Sequence, residues 1–189
     1  RVEVRGVSIH PGSAKGKMIN AARICCEFDS MLTPDQIPEM TEGYEGFHHL
    51  ISIEGETESA VSRYIIRDHD MEKFLAKKAE FESIAASLNK KYGEGTVELT
   101  LTDSYFNMKE VLLDKMYVVT RATDAMERLG MGSRALAIRG GTDGARLSFM
   151  GLPCPNLPTG GGNYHSRYEY VSVDSMERCV DLVLEIVKG

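Results

Sequence analysis

The sequence contains 189 residues, of which 42% are hydrophobic, and this is enough for one large domain or two small ones with an apolar core. The formal net charge of -6 argues against a general nucleic-acid-binding protein, because such proteins normally carry a basic stripe. No apolar run is long enough to span a bilayer. From the charge and from the lack of such a run, we expect neither nucleic acid nor a membrane as a partner. The four cysteines form no CxxC pair, which favours free thiols in a reducing cytoplasm over a disulfide or zinc-finger framework.

The first three strands and the first helix are predicted from hydrophobic periodicity. Alternating valines at the N-terminus predict a strand through residue 9 with a bulge at Gly6. An apolar stripe over residues 18–32 indicates the first helix. Two extended runs, 47–53 and 60–68, are separated by a polar segment and predict a hairpin.

A second helix and a fourth strand complete this part of the chain. Asp70 is the expected N-cap of the helix, which ends at the KKYGEG segment, and residues 96–101 alternate as a strand. The order β-α-β-β-α-β is that of a ferredoxin-like sandwich, an α+β fold in which two helices cover one face of an antiparallel sheet. We therefore expect a compact first domain over residues 1–108.

The remainder, residues 109–189, contains too little strand to build a sheet of its own. It predicts a helix over 108–130, a short strand over 134–138, a glycine-rich loop over 139–151 and a strand over 168–173. A last helix follows, and its expected buried stripe consists of Met176, Val180, Val183 and Val187. We expect this part to be an incomplete domain.

Three side chains are candidates for chemistry, and each has an ordinary alternative. His165 follows three glycines, so it is a metal ligand, a general base or a surface histidine on a turn. His10 precedes a proline and fits a simple turn equally well. Arg67 ends a strand, where a pair with Asp68 or Asp70 is the ordinary interpretation.

The segment RGGTDG, which begins at Arg139, is a second glycine-rich candidate. It lacks the lysine and the spacing of the nucleotide-binding motifs, so a phosphate loop is not indicated.

Several blocks of sequence resemble, in order along nearly the whole chain, the peptidase T family: GVSIHPGSAKGKMINA, TEGYEGF, YIIRDHD, IRGGTDGARLSFMGLPCPN and TGGGNYHSRYEYVSVDSME. This family is the tripeptide-aminopeptidase branch of the dizinc M20 metallopeptidases. The resemblance implies a lid and dimerisation domain over 1–108, followed over 109–189 by the C-terminal portion of an M20-type α/β catalytic domain. The sequence has neither an HxD motif nor a Glu-Glu pair, so we expect most zinc ligands and the glutamate general base to lie outside these residues.

The resemblance also implies a role for each candidate residue. His165 is the last zinc ligand of a two-zinc site. His10 reaches an active site, in dimeric relatives that of the partner subunit, and polarises the scissile carbonyl or holds the tetrahedral oxyanion. Arg67 clamps the C-terminal carboxylate of a tripeptide, while Arg139 and Gly141 contact the substrate. A homodimer through the lid is implied as well.

Two functions follow from these observations. The first is part of a zinc-dependent aminotripeptidase, which we expect to be inactive as this chain alone. The second is a non-catalytic dimerisation or regulatory module, because ferredoxin-like sandwiches often serve as binding domains.

Overall fold

The computed structural model describes residues 1–104 and 107–189, and it divides into two compact units. The first unit comprises Arg1–Asp103 together with Ala137–Gly140, and the second comprises Ser104–Leu136 together with Gly141–Gly189. The short segment Ala137–Gly140 therefore belongs to the first unit, although Ser104–Leu136 of the second unit lies between them in the sequence.

The first unit contains a four-stranded antiparallel sheet with the strand order β2-β3-β1-β4. Its elements in chain order are β1 (Val2–Arg5), α1 (Ala21–Met31), β2 (Phe47–Gly55), β3 (Ser59–Arg67), α2 (Met71–Tyr92) and β4 (Val97–Leu99). The predicted succession of strands and helices is confirmed in this unit.

The core lies between this sheet and the two helices. Phe28 of α1 and Phe81 of α2 are each at most 1% exposed, and their ring centroids are 5.5 Å apart. Tyr64 of β3 packs edge-on against Phe81 at 5.1 Å. The alternation along each strand therefore buries one face of the sheet under both helices.

The predicted boundaries hold for α2 and fail for β1. Asp70 caps α2, because its Oδ1 accepts a hydrogen bond from the Lys73 amide at 2.9 Å. β1 ends at Arg5, before the predicted bulge at Gly6. A Cβ atom at Gly6 would lie 2.0 Å from the carbonyl oxygen of Thr57, so the glycine serves a close backbone approach instead. The register irregularity lies in β2, between Leu50 and Ser52.

The second unit is mostly helical. Its elements are α3 (Lys109–Leu112), α4 (Tyr117–Arg128), α5 (Asp143–Phe149), β5 (Gly161–Gly162), β6 (Tyr170–Val171) and α6 (Val173–Lys188). Helices α4 and α6 are joined by an ion pair between Arg128 and Glu185 at 2.6 Å and by a hydrogen bond from Arg121 to the carbonyl of Ile186 at 2.8 Å.

Three predictions for the second half are wrong. The helix over 108–130 is interrupted by a 3-10 turn at Leu113–Lys115, and residues 134–138 form no strand. The glycine-rich segment continues as α5, because Thr142 Oγ1 accepts from the Ala145 amide at 3.2 Å and caps that helix.

The predicted buried stripe of α6 is also wrong. Met176, Val180, Val183 and Val187 are between 49% and 72% exposed, whereas Leu182 is 1% exposed. Within the described residues, α6 packs on α4 through a different face.

Candidate functional site

Arg67 lies at one end of the open face of the sheet. It is the last residue of β3, and its cross-strand partner is Phe47, the first residue of β2. Residues directly opposite each other in an antiparallel pair share a face. Because the next residue of β2, His48, is buried against the ring of Phe81, Phe47 and Arg67 project from the face that the helices leave open.

Arg139 reaches the same end of the sheet. Its guanidinium carbon lies 4.7 Å from the centroid of the Phe47 ring. The guanidinium donates to the Thr41 carbonyl at 2.6 Å, to the Thr41 hydroxyl and to the Glu45 carbonyl at 3.2 Å. Its Nε is buried and has no hydrogen-bond partner among the described residues. Two of the predicted substrate residues thus have Phe47 as a neighbour: Arg67 is its cross-strand partner, and Arg139 lies over its ring.

The segment between Thr41 and Gly46, which we call the 41–46 loop, is held from a second side. A Cβ atom at Gly46 would lie 1.9 Å from Oδ2 of Asp68, so only glycine allows this approach. Asp68 in turn accepts a hydrogen bond from Lys77 Nζ at 2.9 Å. Asp70, the other carboxylate that we considered as a partner of Arg67, caps α2.

His10 leaves the sheet at the opposite end. It follows β1, whose last residue, Arg5, is paired with Ser59 at the beginning of β3. The nine residues of β3 span about 26 Å at roughly 3.3 Å per residue, so the strand separates this end from Arg67. His10 is exposed, and its Nδ1 accepts from the Gly12 amide at 3.2 Å, which caps a short 3-10 turn.

His165 lies in the second unit, in the turn between β5 and β6. Its φ is +65°, in the left-handed region, and Asn163, two residues earlier, has a φ of +55°. The backbone amide of His165 donates to the Glu169 carboxylate at 2.9 Å, while the residue as a whole is exposed. Three glycines precede this turn, as the sequence shows, and Gly160 has a φ of +70°.

The described residues do not by themselves provide a zinc site. Over residues 1–104 and 107–189, no group of three or more His, Cys, Asp or Glu side chains is placed to hold a metal ion. Zinc in proteins normally has three or four protein ligands. His165 by itself is therefore not a zinc site.

Gly141 lies directly before Thr142, the N-cap of α5, and it is exposed. Its backbone is accessible to a ligand, and the predicted contact with substrate stays a prediction.

Lys77 was missed by the sequence analysis, although a signal was present. The buried face of α2 carries Phe81, Ile84 and Leu88, and Lys77 occupies the preceding position of the same stripe. A lysine that interrupts an apolar stripe indicates a buried charge with a partner. The exposed Tyr44 was also missed; its ring meets the ring of His69, two positions after Arg67 in the sequence, edge-on at 5.1 Å.

Comparisons with known proteins agree on one family. Residues 1–93 match the family model of the peptidase dimerisation domain. The chain is 56% identical over 188 residues to a peptidase T of Clostridium perfringens and 52% identical over 187 residues to a peptidase T of Brevibacillus brevis. Each alignment covers at least 99% of this chain and 46% of the relative, so the chain spans about half the length of the relatives it matches.

Two crystal structures share the fold. A tripeptidase of Staphylococcus aureus superposes with a TM-score of 0.79 at 21% identity, covering 99% of this chain and 49% of that one. The aminopeptidase PepT of Bacillus cereus gives a TM-score of 0.70 at 20% identity, covering 99% and 50%.

The sheet with its two helices and the matching family model define an M20-type peptidase dimerisation domain, followed by a second unit. The high identity along the entire chain makes the assignment more specific. The chain belongs to the peptidase T family and corresponds to the C-terminal part of its members. Among the described residues, no helix has both the length and the apolar character needed to cross a membrane.

Proposed function

We propose that this chain is the lid and C-terminal portion of a zinc-dependent aminotripeptidase, which removes the N-terminal residue of tripeptides. The observation that carries the proposal is the 56% identity to a peptidase T over the full length of the chain. Residues 1–108 form the lid, with a ferredoxin-like fold, and residues 109–189 belong to the catalytic domain. The four cysteines are free in the described structure, which fits a cytoplasmic enzyme.

In this proposal Arg67 binds the C-terminal carboxylate of the substrate. A guanidinium presents two parallel N–H donors that match a carboxylate. A clamp at a fixed distance from the reacting peptide bond selects peptides by length, which is a physical basis for a preference for tripeptides. The position of Arg67 on the open face of the sheet supports this role.

Arg139 and Gly141 complete the proposed substrate contacts. The Nε of Arg139 is a buried donor for which the described residues offer no acceptor. The backbone at Gly141 carries no side chain that would hinder a peptide.

His165 is proposed as one zinc ligand, through a neutral imidazole nitrogen. The metal, when bound in the longer protein, supplies an activated water and polarises the scissile carbonyl. The described residues alone do not form the zinc site.

His10 is proposed to stabilise the oxyanion of the tetrahedral intermediate in a second copy of the protein. A preorganised donor of this kind contributes about 3 kcal/mol, or roughly a hundredfold in rate. The separation of His10 and Arg67 at opposite ends of β3 supports a homodimer in which the two residues of one chain serve different sites.

The test compares this chain with a chimera in which the N-terminal part of the Clostridium perfringens peptidase T precedes it. With added zinc, we expect the chimera to hydrolyse tripeptides and the chain alone to be inactive. Zinc binding by calorimetry is expected only for the chimera. An inactive but folded, zinc-loaded chimera would contradict the aminopeptidase proposal, and activity of the short chain would contradict the proposed division of the site.

The alternative is a non-catalytic dimerisation module, and the match of residues 1–93 to a dimerisation domain favours it. It predicts that the chimera forms dimers without peptidase activity, so the same experiment distinguishes the two functions.

A further inference from the structure

A buried ion pair lies directly beside Arg67. Lys77 Nζ is 2.9 Å from Asp68 Oδ2, and the two side chains are 9% and 1% exposed. Removing two charges from water is costly, and such pairs often add little to stability compared with apolar side chains of the same size. A lysine in the apolar stripe of α2 therefore calls for a function other than stabilising the core.

Asp68 connects three segments of the first unit. Its Oδ1 accepts from the Asp70 amide at 3.0 Å, at the beginning of α2, and its Oδ2 accepts from Lys77. The same Oδ2 fills the space beside Gly46, at the end of the 41–46 loop. The carboxylate thus fixes the end of β3, and with it Arg67, relative to α2 and to this loop.

The other side of the 41–46 loop is bound by Arg139, through Thr41 and Glu45. Both arginines proposed to bind the substrate are therefore next to one loop. Arg139 donates hydrogen bonds to it, and Asp68, the neighbour of Arg67, lies against Gly46 and accepts from Lys77.

Lys78, the next residue of α2, provides a contrast. It pairs with Asp103 at 3.0 Å, but the two side chains are 20% and 43% exposed. This pair has the exposure of an ordinary surface ion pair, and it joins α2 to Asp103 rather than to the 41–46 loop.

We propose that Lys77 and Asp68 are positioning residues for the carboxylate clamp at Arg67. Lys77 offsets the charge of the carboxylate that adjoins Arg67 and holds it in one orientation, so that Asp68 repels an anionic ligand less. Without Lys77, Asp68 loses this buried counter-charge and opposes the incoming carboxylate more strongly. This inference rests on the proposed function of Arg67.

The experiment uses the zinc-loaded chimera and two substrates, a tripeptide and the same tripeptide with a C-terminal amide. The ratio of their KM values measures recognition of the carboxylate, and it is independent of the fraction of protein that is folded. We expect Lys77→Met to reduce this preference about tenfold while kcat for the amide is retained. Lys78→Met, the matched control on the same helix, keeps the preference of the unmodified chimera.

Two further variants keep the test decisive. Lys77→Arg retains the charge and the donor, so we expect it to preserve most of the preference. Should Lys77→Met yield no folded protein, Lys77→Gln removes the charge but leaves an N–H donor, and it is assessed by the same ratio.

The outcomes separate this inference from the function on which it rests. Equal preference in the Lys77 and Lys78 variants, or an equal rise of KM for both substrates in Lys77→Met, overturns the positioning role. If Arg67→Ala loses the preference in that case, the clamp itself remains supported. If Arg67→Ala retains the preference, the clamp is wrong and the positioning role falls with it.

Discussion

At the scale of single residues, Arg139 shows why a guanidinium and an ammonium are not equivalent. One planar group donates to two carbonyls and a hydroxyl and lies against an aromatic ring at the same time. Lysine has no planar fork and cannot reproduce this set of contacts.

The first prediction concerns Arg139→Lys. We expect the free energy of unfolding of the chain to fall by about 1–3 kcal/mol, because partly buried acceptors in the 41–46 loop lose a charged donor. Urea unfolding measures the change. Arg134→Lys, at an exposed position, is the control and should remain within about 0.5 kcal/mol of the unmodified chain. Equal stability of the two variants would show that these contacts contribute nothing.

The second prediction concerns pH and Glu27. The hydrogen bond from Lys91, followed by that from Tyr92, lowers the pKa of Glu27 from its usual 4.5. A group with a depressed folded-state pKa stabilises the protein above its unfolded pKa, and this stabilisation is lost as pH falls through the folded value. The stability difference between the unmodified chain and Glu27→Gln should therefore be full at neutral pH and shrink well below pH 4.5.

Denaturant unfolding at a series of pH values measures this difference. Lys91→Met removes the main cause of the shift and should flatten the acid dependence. Parallel pH profiles for the unmodified chain and Glu27→Gln would contradict the assignment.

At the scale of elements, helices α2 and α6 show what periodicity can and cannot predict. Both have apolar residues at helical spacing, and in α2 the stripe of Phe81, Ile84 and Leu88 is buried as the spacing suggests. In α6 the corresponding positions, such as Val180 and Val183, are exposed in the described structure. Spacing determines which residues share a face, but another element determines whether that face is covered.

The third prediction uses two adjacent positions of α6. Leu182→Ala should reduce the free energy of unfolding by about 2–5 kcal/mol, because this side chain is fully buried against its neighbours. Val183→Ala should change it by less than about 0.5 kcal/mol, because Val183 is 49% exposed. Chemical unfolding of the chain measures both values, and similar costs at the two positions would contradict the structure of this helix.

The elements that the sequence predicted correctly have strong local signals. The cap at Asp70, the glycine after α2 and the alternation in β2 and β3 are encoded within a few residues. The failures lack such signals. Residues 134–138 have strand composition but form no strand in the described structure, and the overlapping segment Ala137–Gly140 packs in the first unit through Arg139.

At the scale of the whole molecule, the sequence indicated the types of residue at the candidate site but not their arrangement. The proximity of Arg67 and Arg139 to Phe47 depends on the register of β2 with β3 and on a contact across about a hundred positions. Local patterns carry no information about such distant contacts. Lys77 differs, because its interruption of the apolar stripe of α2 is a local signal.

The separation of His10 and Arg67 at opposite ends of β3 leads to a fourth prediction, on subunit complementation. In the chimera, His10→Ala and Arg67→Ala homodimers should each lose most activity. Random exchange of subunits makes half of the dimers mixed, and each mixed dimer has one site with both defects and one site with neither. Mixing should therefore restore about one quarter of the original activity by this counting of sites. If each site were built from a single copy, mixing two inactive proteins would restore nothing.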